Sequence, residues 1–427
     1  MIWIVPAIAG VLLAAGLALA YVIGGSTVLA FLATDNSRYL AILPQKVFSQ
    51  ISVFSLLAMP LFILAGELMN RGGVTKALID LSMAMVGRLR GGLGHVNIMT
   101  SVFFAGISGS AIADAAALSN TLVPAMRERG YTNEYAGAVT AASSIIGPIV
   151  PPSIILIFYG ALMQTSVAAL FVAGILPGLV LAAALFLVNG YYAWREDHPR
   201  VEKGEAPALV PAVLGALPAL CLPLIIVGGI VLGWMTPTEA AAVAVFAAVV
   251  AAWFYSPITL EDLRESFSRT AVLTGSIFMI LCAVSALGHL AAIERIPQAL
   301  AELVDRMGLG PAGYLVMMNV LFIIAGMVLD VTVALALLVP LLAPVALAGG
   351  ADPVHLGIVI CFNLSIGLVS PPLGGCLLII STVTGVRYWA LARAVIPFVI
   401  AEIVVLAILV ALPEISLWLP RVMGLWH

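Results

Sequence analysis

The chain has 427 residues, 63% of them hydrophobic and 9% charged, with a net charge of −3 and a mean hydropathy of +1.18. A soluble domain carries roughly 25% charged residues, so a water-soluble globule is excluded. Eighteen basic residues scattered along 427 positions also exclude nucleic-acid binding.

In chain order, apolar segments fall near 2–33, 47–69, 93–126, 133–164, 168–194, 208–233, 237–255, 270–291, 311–347, 353–385 and 394–419. About 18 or more apolar residues cross a bilayer core, so the pattern predicts an all-α polytopic membrane protein forming one integral domain over 1–427. The run from Ile2 lacks a basic leader and outlasts a signal core, and reads as a span. Segment 93–126 is too long for one crossing and carries Gly106-Ile-Ser-Gly-Ser110 in its middle. Segments 133–164 and 353–385 are interrupted by Gly147-Pro-Ile-Val-Pro-Pro152 and Gly367-Leu-Val-Ser-Pro-Pro372. The polar stretch 195–207 reads as a short cytoplasmic loop, too small to fold alone. Cys221, Cys282, Cys361 and Cys376 lie in apolar segments without metal or redox spacing and read as packed thiols.

The interruptions are related. An offset of 220 positions pairs Gly106 with Gly326, Pro124 with Pro344, Gly130 with Gly350 and Gly137 with Gly357. The same register pairs Gly147 with Gly367, Pro151 with Pro371, Pro152 with Pro372 and Pro177 with Pro397. Gly and Pro mark backbone irregularities rather than greasiness, so the coincidences indicate a duplication: a first repeat over 72–194 and a second over 292–419. Arg88 and Arg90 precede segment 93–126, and Arg127 and Arg129 follow it. Positive residues stay cytoplasmic, so both ends lie on one side and the segment is a re-entrant hairpin with its tip near Ser108–Ser110. Threading onward puts Arg71, Lys76, Arg195, Arg200, Lys203, Arg264, Arg269, Arg387 and Arg393 on the same side. Arg38, Lys46, Arg295, Arg306 and Arg421 fall opposite. The second hairpin, 311–347, then enters from the periplasm, which makes the repeats inverted. The N-terminus is expected in the cytoplasm and the C-terminus in the periplasm. Amphipathic stretches 72–90 and 294–308 precede the hairpins as surface arms.

Non-helical backbone inside a bilayer must be buried in protein or line a cavity. Two tips and two broken helices are therefore expected to meet. Half-helix N-termini there suit an anion, and freed carbonyls suit Na⁺. For one cation site the candidates are Ser108, Gly109, Ser110, Ser143, Ser144, Gly147 and Val150. For its pseudo-symmetric partner they are Gly326, Asp330, Asn363, Gly367 and Ser370. Substrate candidates are Ser108, Ser110, Asp114, Ser153 and Asp330. Asp114 and Asp330 are singled out as ionisable groups within apolar stretches. Small residues in such helices otherwise serve close packing. Glu67, Glu239 and Glu402 map to no tip or break and read as structural, as do His95, His289 and His355. No GxxxxGK[ST], GxSxG or HExxH constellation occurs, so an enzyme is not indicated and uphill transport would draw on an ion gradient.

Several runs resemble the large membrane subunits of tripartite ATP-independent periplasmic (TRAP) transporters. They include Met59-Pro-Leu-Phe-Ile-Leu-Ala-Gly-Glu-Leu-Met-Asn-Arg-Gly-Gly73, Gly87-Arg-Leu-Arg-Gly-Gly-Leu-Gly-His95 and Phe103-Phe-Ala-Gly-Ile-Ser-Gly-Ser-Ala-Ile-Ala-Asp-Ala-Ala-Ala117. Gly147-Pro-Ile-Val-Pro-Pro-Ser153, Thr236-Pro-Thr-Glu-Ala240, Asp352-Pro-Val-His-Leu-Gly357 and Asn363-Leu-Ser-Ile-Gly-Leu-Val-Ser-Pro-Pro-Leu-Gly374 are similar too. The resemblance implies Na⁺-coupled uptake of an organic acid (a C4-dicarboxylate, sialic acid or another sugar acid) across a bacterial inner membrane. It also implies an elevator-type core, a separate small membrane (Q) subunit and a periplasmic substrate-binding (P) protein. Its sodium sites fall at the tips and breaks. Two departures stand out: Asp330 is followed by Val331 where Pro is frequent, and Ser119 replaces a usual Gly. The alternative is a stand-alone ion-coupled anion permease of the same architecture.

Overall fold

The structure is a computed structural model that describes residues 4–34, 36–201 and 206–426. It is all-helical, with no strand among the described residues. Among the described residues, eight helical runs are long and apolar enough to cross a membrane: Phe54–Arg71, Val167–Arg195, Leu209–Val231, Pro237–Tyr255, Leu260–Ile293, Pro311–Val328, Val331–Ala348 and Tyr388–Ala411.

The first expected span, 2–33, is two helices, α1 (Ile4–Ala14) and α2 (Leu19–Ala33), because the chain turns at Gly16 with φ +78°. Residues 2 and 3 lie outside the described residues. Segment 47–69 is likewise divided, into α3 (Leu43–Ile51), a 3₁₀ turn at Phe54–Leu57 and α4 (Ala58–Arg71). The first amphipathic stretch forms α5 (Val74–Val86). There follow α6 (Gly92–Ser108), α7 (Ala111–Glu128), α8 (Asn133–Ser144), α9 (Ile154–Met163) and α10 (Val167–Arg195). Beyond the polar loop come α11 (Leu209–Val231), α12 (Pro237–Tyr255) and α13 (Leu260–Ile293). Helix α13 is longer than the apolar segment 270–291, because a capping box at Thr259 and Asp262 starts it ahead of the hydrophobic run. The chain then forms α14 (Ile296–Arg306), α15 (Pro311–Val328), α16 (Val331–Ala348), α17 (Pro353–Gly367), α18 (Gly375–Thr384), α19 (Tyr388–Ala411) and α20 (Glu414–Val422).

Helices α8 and α17 occupy the centre. Every residue from Tyr135 to Ser144 and from Val354 to Gly367 is buried, as befits helices that are surrounded by protein rather than lipid. Helices α6, α7, α10, α15, α16, α18 and α19 pack around them. A second group flanks this core: α12 packs along α4, α11 along α5 and α12, and α13 along α2, α3 and α4.

Both hairpins end where a side chain takes over from the helical ladder. At the first, Gly109 adopts φ +59° and Ser110 caps α7 by accepting from the Ala113 N–H at 3.4 Å. A Cβ on Gly109 would lie 2.4 Å from the Pro152 carbonyl oxygen, so only glycine lets this tip seat on the break between α8 and α9. At the second, Asp330 caps α16 through the Thr332 N–H at 2.9 Å. Here the docking glycine is on the break: a Cβ on Gly367 would stand 2.3–2.7 Å from the Gly326 backbone.

The polar stretch after α10 is not a free loop. Arg90 pairs with Asp197, the Val201 N–H donates to the Gly87 carbonyl at 3.4 Å, and His198 lies buried with its ring 4.6 Å from those of Tyr131 and Tyr135. The reason is aromatic packing, which outcompetes hydration here. Lys203 of this stretch lies outside the described residues.

Two outcomes follow from this packing. Gly367→Ala forces backbone apart in a close-packed contact, a change that costs about 1–3 kcal/mol, and should lower the thermal midpoint of the purified protein more than Gly228→Ala, which lies within a helix and whose Cβ meets nothing within 4 Å. Burial holds His198 below its ordinary value of 6.5, against an opposing pull from Glu196. The unfolded segment therefore takes up a proton first, so packing of 195–201 is present above about pH 6.5 and weakens as pH falls through it. Amide-exchange protection across this segment, corrected for the intrinsic pH dependence of exchange, should fall between about pH 7 and pH 5, and His198→Phe should abolish that fall.

Candidate functional site

The two tips meet at one cavity of about 420 Å³. Ser108, Gly109 and Ser110 line it from the first hairpin, and Asp330 and Thr332 from the second. The opening residues of α7, α16 and α9 also reach it, as do Pro148 and Leu368 from the two breaks. Three helix N-termini therefore converge, each with amides that lack intrahelical partners and each at the positive end of its dipole. The flanking helices complete the lining, with Gly66, Glu67 and Asn70 of α4 and Arg269 and Ser276 of α13.

Beneath the first tip, Asp114 is fully buried. Its Oδ1 accepts from the Ser108 hydroxyl. Its Oδ2 has no partner among the described residues and faces Gly147, where a Cβ would stand 2.5 Å from it. A buried carboxylate oxygen facing freed backbone is an uncompensated acceptor and suits a hard cation better than a hydrocarbon neighbour. Asp114 thus sits at the break, behind the cavity wall. The loss of helical geometry is real there: α8 ends at Ser144 and α9 starts only when Ser153 caps it.

The second half repeats the theme with an amide. Asn363 donates from Nδ2 to the Asn319 Oδ1 at 2.7 Å and to the Asn319 carbonyl at 2.9 Å. Its own Oδ1 is buried and has no partner among the described residues. Asp330 lies exposed on the cavity and also accepts from the Thr332 hydroxyl.

The other expected ligands have different surroundings. Ser143 is turned toward α6, where it accepts from Ser101 at 2.9 Å and donates to Asn97 Oδ1 at 3.1 Å. Ser144 donates to the Ala141 carbonyl at 2.7 Å, and Ser370 to the Ile366 carbonyl at 2.8 Å. The Ser153 hydroxyl donates to the Pro148 carbonyl and caps α9, so its side chain stabilises the break instead of lining the cavity. Val150 packs its side chain toward Gly178 of α10. Gly326 and Gly367 touch through backbone.

Residues that the sequence reading passed over are Asn97 and Asn319, which tie each hairpin's first arm to its broken helix, and the pair Glu67–Arg269. An amide in the middle of an apolar hairpin arm was a visible signal for the first two. Glu402, expected to be structural, is fully buried on α19, and neither carboxylate oxygen has a partner among the described residues.

Residues 7–415 match the family described as tripartite ATP-independent periplasmic transporter, DctM component. The chain is similar to the sialic acid TRAP transporter large permease protein SiaM of Vibrio cholerae, at 38% identity over 92% of each chain. It is also similar to the C4-dicarboxylate large permease DctM of Pseudomonas aeruginosa, at 36% over 94% of this chain and 93% of that one. The 2,3-diketo-L-gulonate large permease YiaN of Escherichia coli is 36% identical over 88% of each. Among solved structures, the Alcanivorax borkumensis YdaH transporter shares the fold with a TM-score of 0.62 at 13% identity, covering 92% of this chain and 90% of that one.

The Asn319–Asn363 contact makes a structural prediction. Asn319→Leu strips the Asn363 Nδ2 of its side-chain acceptor, and an unsatisfied buried group costs about 1–3 kcal/mol. The thermal midpoint should fall accordingly, and a double variant with Asn363→Leu should recover part of the loss.

Proposed function

Because the chain belongs to the DctM component family of TRAP transporters, a family of multi-pass membrane permeases, we propose that it carries a small organic acid inward across the inner membrane, coupled to Na⁺. The observation that carries this reading is the convergence of three helix N-termini on one cavity, backed by unpartnered oxygens of Asp114 and Asn363 at the two breaks. Converging helix N-termini give the cavity a positive potential that favours an anionic solute. The buried oxygens and freed carbonyls attract a hard monovalent cation. Related permeases are named for sialic acid, C4-dicarboxylates and 2,3-diketo-L-gulonate, all organic acids, and one such acid is the proposed substrate.

Ser108, Gly109, Gly147 and Asp114 form the first proposed cation region, and Gly326, Asp330, Asn363 and Gly367 the second. In each, the ion is a co-substrate. It neutralises a buried acceptor, draws tip and break together, and so completes the wall against which the anion rests. Coupling then has a simple basis: an unneutralised Asp114 carboxylate repels a second negative charge in the adjoining cavity. The repeat of helix, tip, helix, broken helix in both halves supports an inverted duplication. The split between a hairpin-bearing core and the flanking α4, α11, α12 and α13 supports an elevator, in which the core slides past the flank with its cargo. Helix α4 approaches the first tip closely at Gly66, where a Cβ would meet the Ile107 carbonyl at 3.4 Å. A small membrane subunit bracing the flank and a periplasmic binding protein delivering the acid complete the proposed assembly, with the N-terminus cytoplasmic and the C-terminus periplasmic.

Proteoliposomes holding this chain, its small subunit and the binding protein should take up a labelled organic acid only with an inward Na⁺ gradient. Ser110→Ala and Asn363→Ala should assemble yet lose most of this uptake. Gly147→Ala, which displaces the Asp114 carboxylate, should abolish stabilisation of the purified protein by added Na⁺, read as a thermal midpoint that no longer rises with Na⁺ concentration. Uptake that proceeds without Na⁺ would sink the coupling, and uptake without the binding protein would point to a stand-alone permease.

A further inference from the structure

The cavity is lined by two carboxylates, Glu67 and Asp330, and among its described lining residues Arg269 is the one basic side chain. Left to the carboxylates, the cavity would repel an organic anion. Arg269 stands on α13, in the part of the lining that the flanking helices supply. Its Nε is 3.2 Å from Glu67 Oε1 of α4, and the Glu67 side chain is 13% exposed against 63% for Arg269. No other ion pair or hydrogen bond of the guanidinium occurs among the described residues, so its two Nη groups remain free. The contrast with Arg71, one turn on in α4, is instructive. Arg71 contacts two α13 carboxylates, Asp262 at 3.4 Å and Glu265 at 2.7 Å, and does not line the cavity. One arginine at this seam is used up as a clamp, and the other has a free edge.

A guanidinium presents five N–H donors in a planar fork, and the Nη edge matches a carboxylate in two parallel hydrogen bonds. Glu67, held in the α4–α13 seam, fixes the plane of that fork from the Nε side. From this geometry we propose that Arg269 receives the substrate's carboxylate from the flanking wall and selects anions over neutral solutes, with Glu67 as its positioning residue. The proposal rests on the transport reading above and adds to it a recognition group outside the tips. In the assigned geometry the anion bridges the two halves of the cavity, its carboxylate on Arg269 and its remaining polar groups toward the amides of α7 and α16. A carboxylate bound there competes with Glu67 for the same cation, so binding stays loose enough for release.

The test uses the reconstituted three-component system, with succinate, N-acetylneuraminate and 2,3-diketo-L-gulonate as labelled probes. The acid that the unaltered complex takes up is carried forward. If none is taken up under a Na⁺ gradient, the transport reading itself fails and this inference falls with it. Otherwise Arg269→Gln should raise the half-saturating concentration of loaded binding protein about 10-fold or more, the loss expected of one charge-assisted carboxylate contact. Arg269→Lys should recover part of that loss, since it keeps the charge without the fork. Glu67→Gln should have the smaller effect, and the Glu67→Gln, Arg269→Gln double variant should stay as impaired as Arg269→Gln alone. A double variant restored to unaltered uptake, or a Glu67→Gln defect equal to that of Arg269→Gln, would mean the pair is only an interhelical clamp and would overturn the assignment. Should Arg269→Gln fail to assemble, Arg269→Lys decides: an unchanged half-saturation refutes the role.

Discussion

A peptide group that leaves helical geometry within hydrocarbon must find its hydrogen-bond partner in protein, or forfeit several kcal/mol. The architecture is organised around that demand. Both helix breaks lie against the two most completely buried helices, α8 and α17, and each is covered by a hairpin tip. Side chains do the remaining work. Ser110, Ser153 and Asp330 each take over a helix N-terminus that no preceding turn could serve. Contact between tip and break is made by backbone in both halves, with Gly109 on the tip in one and Gly367 on the break in the other. A methyl group at either position would hold the two apart and leave polar backbone exposed in between.

The same economy leaves a small set of acceptors unsatisfied, and their positions are informative. Most buried polar side chains have local partners, such as Ser144 with Ala141 and Ser370 with Ile366. Asp114 and Asn363 each keep one oxygen without a partner among the described residues, and they stand at the two breaks. In the proposed cycle this is where a co-transported cation exerts its effect. It satisfies the acceptor and lets the tip close, so the anion cavity is complete only when the cation is bound. The cavity is shared between the hairpin-bearing core and a flanking wall that supplies Arg269. Such sharing ties recognition of the anion to the relative position of the two groups of helices.

How far the site could be read without coordinates differs from residue to residue. Ser108, Gly109, Ser110 and Asp330 were legible because their neighbours spell a helix end inside an apolar run, and they do line one cavity. Ser143 and Asn363 are equivalent under the 220-residue offset, yet their side chains meet different partners: Ser143 is engaged by Ser101 and Asn97, whereas Asn363 keeps a free oxygen. An offset aligns backbones and says nothing of which rotamer a neighbour will satisfy. Arg269 was counted only as a basic residue at the edge of a span. Its pairing with Glu67, about two hundred positions away in the chain, has no trace in local pattern.

What the amino-acid sequence by itself determined is the solvent and the punctuation. Hydrophobic length sets a multi-helix membrane protein, because hydrocarbon accepts only segments that satisfy their own backbone. Gly, Pro and Ser clusters set where helices stop, because φ, missing N–H groups and capping oxygens are properties of single residues. Tertiary structure decided the rest. It placed the two tips on one cavity, turned Asp114 toward Gly147 behind that cavity's wall, drew His198 under the aromatic cluster and left Arg269 with a free edge. Each of these depends on which distant side chain arrives first to fill a void or satisfy a charge, and that is settled only when helices far apart in sequence pack together.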